Sequence, residues 1–217
     1  MKNIEREMCF MGVLLINGSP RKHGCTYTAL SEVAGALNAN GVETDIVHIG
    51  SQPVQDCTAC GRCRESGYCA FGGDAVNECI DLLKKADGFV VGSPVYYSGP
   101  TGSVCSFLDR MFFNKSEPYA YKPAAAVVSC RRAGSTASLD RLNKYFLISG
   151  MPVVSSQYWN MVHGHTPDDV RQDLEGLQIM RTLGNNMAWL IKCIAAARGA
   201  VPYPVKEARV STSFIRK

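Results

Sequence analysis

The chain has 217 residues, of which 46% are hydrophobic and 19% charged, so it can fill one core and does not have the composition of a disordered protein. Two full domains would be a tight fit at this length. The formal net charge is only +4 and no run of Lys or Arg exceeds two residues, so neither a nucleic-acid nor a membrane partner is indicated.

The only apolar stretch near the N-terminus is Met8–Ile16. Glu5 and Glu7 precede it and offset the basic residues that a secretory signal would need. No stretch approaches the roughly 20 apolar residues of a membrane span. We therefore expect a cytoplasmic protein with a short N-terminal extension at residues 1–11.

Short apolar runs alternate with amphipathic segments along the rest of the chain. The predicted strands are Gly12–Ile16, Val42–Ile49, Gly88–Gly92, Ala124–Ser129 and Pro152–Ser155. The last of the intervening helices begins after Thr166-Pro167 and is expected to break near Gly184. Its inward residues are predicted to be Val170, Leu174, Leu177, Met180, Met187, Leu190 and Ile194.

This alternation predicts an α/β fold in one domain, residues 12–199, with helices on both faces of a parallel sheet. A cysteine-rich loop at residues 57–71 interrupts the pattern, and an irregular tail follows at residues 200–217.

The turn after the first predicted strand, Asn17–Thr26, has the groups that bind an anion. Ser19 and Thr26 carry hydroxyl donors, Arg21 carries a planar charged fork, and the backbone N–H groups of Gly24, Cys25 and Thr26 lie at a helix start. Ligands of open parallel sheets bind at the carboxyl ends of strands. The turn is neither a Walker A loop nor a G-x-G-x-x-G motif. A solvated turn with two surface charges is the alternative.

The loop after the third predicted strand can form a flat wall for a planar ring. It contains Pro94, Val95, Tyr96, Tyr97 and Ser98. Its backbone N–H groups could bond the heteroatoms of such a ring. The alternative is that the two tyrosines pack in the core.

Three motifs occur in a fixed order: G-S-P-R-K-x-G-x-T at Gly18–Thr26, G-S-P-V-Y-Y at Gly92–Tyr97, and F-L-D-R at Phe107–Arg110. Together they resemble the NADPH-dependent FMN reductase family of flavodoxin-like proteins, and more closely its branch of iron–sulfur flavoproteins. The resemblance covers about residues 12–195.

The resemblance implies a three-layer sandwich with five parallel strands in the order 2-1-3-4-5. It also implies that flavin mononucleotide (FMN) binds with its phosphate at the first turn and its ring along Pro94–Ser98. A third contact loop would follow the fourth strand, at Ser129, Arg132 and Gly134.

Within this resemblance, electrons would pass from NAD(P)H to a small acceptor or a redox protein, and the chain would form a homodimer or homotetramer. The flavin would carry the chemistry, so no catalytic side chain is expected. An electron carrier without its own nicotinamide site is the alternative function, and a zinc-stabilised binding module without flavin is a third.

Four of the ten cysteines are spaced as Cys57-x2-Cys60-x2-Cys63-x5-Cys69. Thiolates at this spacing can surround a [4Fe–4S] cluster or a zinc ion. The spacing resembles the compact motif of the iron–sulfur flavoproteins at all four cysteines. A redox-active dithiol and simple reduced thiols are the alternatives.

For three further features of the sequence, we expect structural roles rather than catalysis or metal binding. His163-Gly164-His165 is expected to be a surface loop near the flavin, or a lid, rather than a metal site. Asp109 and Arg110 are expected to pair with each other on their helix. Trp159 and Trp189 are expected to serve packing or an interface.

Overall fold

The computed structural model describes residues 11–113, 117–208, 210–212 and 214–215, so most of the predicted N-terminal extension lies outside the described residues. Five parallel strands form one sheet in the order β2-β1-β3-β4-β5. They are β1 Gly12–Asn17, β2 Glu43–His48, β3 Gly88–Pro94, β4 Ala124–Cys130 and β5 Met161–His163. The predicted flavodoxin-like strand order is confirmed.

Helices cover both faces of this sheet. They are α1 Cys25–Ala39, α2 Cys63–Ser66, α3 Val76–Lys85, α4 Gly102–Phe112, α5 Ser135–Ile148, α6 Pro167–Gln172 and α7 Leu174–Ala197. Alternate residues of the central strands point to opposite faces, so Leu14 and Ile16 pack in one core and Val13 and Leu15 in the other. Helices α3, α4 and α5 supply the first core, and α1 and α7 supply the second.

The fifth strand lies later in the chain than predicted. Residues 152–155 make only one bridge, from Val153 to Ala124 at the start of β4, whereas Met161–His163 pairs with the end of β4. Two segments therefore share one edge of the sheet, and the chain leaves that edge between them. The sequence offers two short apolar runs, and only the tertiary pairing distinguishes them.

The predicted helix break near Gly184 is wrong. The chain breaks instead at Asp173, whose side chain accepts a hydrogen bond from the N–H of Gly176 at 2.9 Å and caps α7. Gly184 lies inside α7, where an added Cβ would be 2.7 Å from the carbonyl oxygen of Val33 on α1. The glycine permits close contact between the two helices. Leu174, predicted to face inward, is 74% exposed on the first turn of α7.

The start of α6 follows its prediction. Thr166 and Asp169 form a capping box, with a proline at the first helical turn. At the other end of this region, residues described from Ala200 onward form neither helix nor strand, and Tyr203 stacks on Tyr121 with ring centroids 4.7 Å apart. No helix among the described residues is long and apolar enough to cross a membrane.

Candidate functional site

Four loops meet at the carboxyl edge of the sheet, after β1, β3, β4 and β5. They enclose an open cleft of about 180 Å³. Its lining residues are Ser19, Pro20, Arg21, Cys25, Thr26, Pro94, Val95, Tyr96, Ser129, Cys130, Arg131, Gly164 and His165. The strand order places the loops after β1 and β3 side by side, as ligand sites of this fold class require.

The turn after β1 is held in shape by Asn17, a fully buried residue at the end of the strand. Its side-chain oxygen accepts from the N–H of Ser19 at 3.2 Å, and its amide nitrogen donates to the carbonyl oxygen of Lys22 at 2.9 Å. Asn17 therefore orders the turn before any ligand binds. An asparagine directly after a buried strand is the sequence signal for this role.

Ser19 is fixed from a second side by the end of β2 and the residues that follow it. His48 Nε2 lies 2.8 Å from the carbonyl oxygen of Ser19. Gly50 passes so close that a Cβ there would overlap the same carbonyl group. Neither residue was recognised in the sequence, because the contact joins segments about 30 residues apart.

The start of α1 borders the cleft with Cys25 and Thr26. The first intrahelical bond runs from Thr28 N to Gly24 O at 3.0 Å, so the N–H groups of Cys25 and Thr26 have no acceptor within the helix. Gly24 at the N-cap has no side chain to accept from them. The buried hydroxyls of Thr26 and Ser129 lie 2.8 Å apart and connect the first turn to the end of β4.

Cys25 connects α1 to the loop after β5. Its thiol donates to the carbonyl oxygen of Gly164 at 3.8 Å. Burial raises the pKa of the Cys25 thiol, so the side chain is a neutral donor at physiological pH. The Cys25 side chain therefore orders the cleft wall through its hydrogen bond to Gly164. The sequence did not reveal this contact.

The loop at residues 163–165 borders the cleft through Gly164 and His165. The carboxylate of Asp169 accepts from the N–H groups of His165 and Thr166, each at 2.9 Å. These bonds lower the pKa of Asp169 below its ordinary value, and the bond from Thr166 has the largest effect. Placement beside the cleft agrees with the loop prediction.

The loop after β3 forms a tight turn in which Tyr96 and Gly99 exchange two backbone hydrogen bonds, at 2.8 and 2.9 Å. Tyr97 and Ser98 occupy its centre with positive φ, as a type I′ turn requires. Tyr96 is 51% exposed and Tyr97 is fully exposed, so the alternative that both pack in the core is wrong.

Some predicted contact residues lie away from the cleft lining. They are Gly24, Tyr97, Ser98, Arg132 and Gly134. Gly134 packs on Ser98, since an added Cβ would be 2.7 Å from the Ser98 Cα, so these two residues support the loops behind the wall. The lining residues that were not among the predicted contacts are Pro20, Cys130, Arg131, Gly164 and His165.

The four cysteines at 57, 60, 63 and 69 all line a second, small cavity of about 20 Å³. Burial raises the pKa of the Cys63 thiol, and the three neighbouring cysteines add to that rise. Within the described part of the chain, no three His, Cys, Asp or Glu side chains are gathered closely enough to hold a metal ion. A single zinc ion needs its sulfurs only about 3.8 Å apart, whereas a polynuclear cluster needs a wider ring of thiols.

Arg110 also lines this cavity, and its predicted pairing with Asp109 is wrong. The guanidinium pairs with Asp74, while Asp109 accepts from the Tyr145 hydroxyl and lies 3.5 Å from Arg141. Consecutive residues on a helix point in different directions, so each finds its partner on another element.

Comparison with known proteins agrees with this geometry. A family model described as NADPH-dependent FMN reductase matches residues 11–166. The chain is 30% identical to an iron–sulfur flavoprotein of Methanocaldococcus jannaschii over 85% of this chain and 99% of that one. It is 26% identical to the iron–sulfur flavoprotein of Methanosarcina thermophila, over 87% and 99%. A solved archaeal flavodoxin superposes with a TM-score of 0.57 at 17% identity, over 84% of this chain and 99% of that one, which supports the fold.

Proposed function

Because the chain belongs to the NADPH-dependent FMN reductase family, in its iron–sulfur flavoprotein branch, we propose that it is an FMN-dependent oxidoreductase that takes electrons from NAD(P)H. The observation that carries the proposal is the cleft where the loops after β1, β3, β4 and β5 meet. The chemistry that FMN supplies when bound is hydride acceptance and one- or two-electron transfer.

The first turn fits a phosphate. The N–H groups of the first turn of α1, which have no acceptor within the helix, border the same end of the cleft as the Ser19 hydroxyl and the Arg21 guanidinium. No ion pair among the described residues includes Arg21, so its charge is available to an anion. We assign Ser19, Arg21, Cys25 and Thr26 to the FMN phosphate.

The wall formed by Pro94, Val95 and Tyr96 suits the flavin ring. The three residues line the cleft in one run beside Ser129 and Cys130 of the neighbouring strand. Their side chains would exclude water from one side of the ring, and the backbone of the two loops would orient its polar edge. The nicotinamide donor is proposed from the family description alone.

We further propose that the four cysteines hold a [4Fe–4S] cluster. All four line one cavity, and Phe113 and the buried guanidinium of Arg110 close it. The cluster would supply one-electron transfer to a redox protein. Zinc, a redox-active dithiol and reduced thiols are the competing states of the same site.

The alternative function is an electron carrier with no nicotinamide site, and one titration separates it from a reductase. The FMN-loaded protein is mixed anaerobically with NADH or NADPH, and the absorbance of oxidised flavin is followed. A reductase loses this absorbance rapidly with at least one nicotinamide. If dithionite bleaches the flavin and neither nicotinamide does, the chain is a carrier.

Exposed aromatic residues favour self-association. We propose that the protein forms a homodimer or homotetramer and that it acts in the cytoplasm. Tyr158, Trp159 and Trp189 are each more than half exposed, an unusual state for such large apolar side chains. Sedimentation velocity tests the proposal, and a monomer at all concentrations contradicts it.

A further inference from the structure

Arg110 is a charged side chain in the interior of the molecule, with no exposed side-chain surface. A buried guanidinium is costly unless its five N–H groups find acceptors. Here all five do so. The acceptors are Cys69 Sγ at 3.2 Å from Nε, Gln55 O at 3.4 Å from Nη1, Phe71 O at 2.9 Å from Nη2, and the two carboxylate oxygens of Asp74.

All of these acceptors belong to one segment, residues 55–74, which carries the four cysteines. The segment has little regular structure beyond the four-residue helix α2, and Ala59, Gly61, Gly67 and Gly73 all have positive φ. Its shape therefore depends on contacts with other elements. Arg110, on α4, contacts the segment before its first cysteine and again at and after its last.

The guanidinium has two different edges. Its Nη edge is paired with Asp74, and its Nε–H donates to the sulfur of Cys69. The carboxylate of Asp74 balances the buried charge, and a guanidinium keeps its proton in proteins, so the cation persists. A donor to a ligand sulfur stabilises the more negative, reduced state of a cluster.

We propose that Arg110 is the positioning residue of the four-cysteine site: it joins the two ends of segment 55–74 so that the sulfurs face one cavity, and it directs an N–H group at Cys69. The inference rests on the proposed cluster. Arg110 helps the protein to retain the cluster and raises the reduction potential of the cluster. It does not line the FMN cleft, so this role is separate from flavin binding.

The test compares Arg110→Lys with Arg64→Lys in anaerobically reconstituted full-length protein. Lysine keeps the charge at position 110 but cannot reach Cys69, Asp74 and two carbonyl groups at once. Arg64 is the matched control, because it is a cation of the same segment that is exposed and lies over the Phe113 ring. The readouts are iron and sulfide per chain, the rate of iron release to a chelator, and the midpoint potential. FMN content and unfolding temperature report on the fold.

We expect wild type and Arg64→Lys to hold about four irons per chain. Arg110→Lys should release iron about tenfold faster. Its one-electron reduction equilibrium should shift about tenfold toward the oxidised state, which corresponds to a midpoint potential about 59 mV lower. The inference is overturned if the rate of iron release and the one-electron reduction equilibrium constant of Arg110→Lys both stay within twofold of wild type, even if the unfolding temperature falls. A wild type that holds no iron overturns the cluster and the inference together, which distinguishes the two failures.

A second variant keeps the inference testable should Arg110→Lys fail to fold. Asp74→Asn removes the carboxylate that balances the guanidinium, which leaves more positive charge beside Cys69. The potential should then rise rather than fall. An unchanged or lower potential in a loaded Asp74→Asn protein contradicts a role for Arg110 toward the cluster.

Discussion

Replacement of Arg21 by alanine should weaken FMN binding without weakening riboflavin binding. Arg21 lines the phosphate end of the cleft and has no ion pair among the described residues. Riboflavin has the same ring and no phosphate, so only FMN should lose an interaction.

The expected size follows from the exposure of Arg21. A hydrogen bond to a charged group contributes about 1.5–3 kcal/mol, and the exposed Arg21 side chain places its contribution at the lower end. A loss of about 1.5 kcal/mol is roughly a tenfold rise in the Kd for FMN. The apoprotein should keep its stability, since the Arg21 side chain makes no ion pair with the residues that the structure describes.

The assay is quenching of flavin fluorescence on titration with apoprotein, for both flavins and two variants. Lys22→Ala is the matched control, because Lys22 is an exposed cation on the same turn that does not line the cleft. Arg21→Ala should change only the FMN affinity, and Lys22→Ala should change it far less. Equal losses for FMN and riboflavin, or equal losses in both variants, would refute the assignment of Arg21 to the phosphate.

Three further predictions concern the same cleft. Thr26→Val leaves the buried Ser129 hydroxyl without its partner and should lower the free energy of unfolding in urea by about 1–3 kcal/mol. Thr26→Ser keeps the hydroxyl and loses only a buried methyl group, so it should be the more stable of the two variants, and equal stability contradicts this. Gly50→Ala should displace the Ser19 carbonyl, cost about 1–3 kcal/mol and weaken FMN binding, while Gly102→Ala, where a Cβ meets open space, serves as the control; normal FMN affinity in the Gly50→Ala variant refutes the contact. The pKa of Asp169 is lowered in the folded protein. Its charge therefore stabilises the fold at pH values above 3.8, the ordinary pKa, and that contribution is lost as the pH falls through the lowered pKa. Asp169→Asn should therefore show a smaller drop in Tm than wild type between neutral pH and about pH 3, and an identical drop argues against the assignment.

The sequence predicted the parts of the site that depend on local signals. A buried apolar run followed by Asn17-Gly18-Ser19-Pro20 marks a strand that ends in a turn, whatever the rest of the chain does. The same holds for the loop at Pro94, so the two loops were assigned to the correct strand ends. The family motifs then supplied the strand order.

The remaining parts depend on contacts between distant segments. Gly184 could mark a break or a close helix contact, and only the position of Val33 on α1 decides between them. Arg110 finds its partner 36 residues away, at Asp74. The loop at 163–165 was expected near the flavin, but its residues that line the cleft, Gly164 and His165, could not be selected without knowing which of two apolar runs is the fifth strand.

Identification of the flavin that the protein carries tests the central claim most directly. The protein is purified without added cofactor, unfolded, and the released flavin is separated by chromatography and quantified against the chain concentration. We predict FMN at up to one per chain, with the deficit filled when FMN is added to the apoprotein. FAD in its place, or a protein that neither carries nor binds FMN, would contradict the assignment of the cleft.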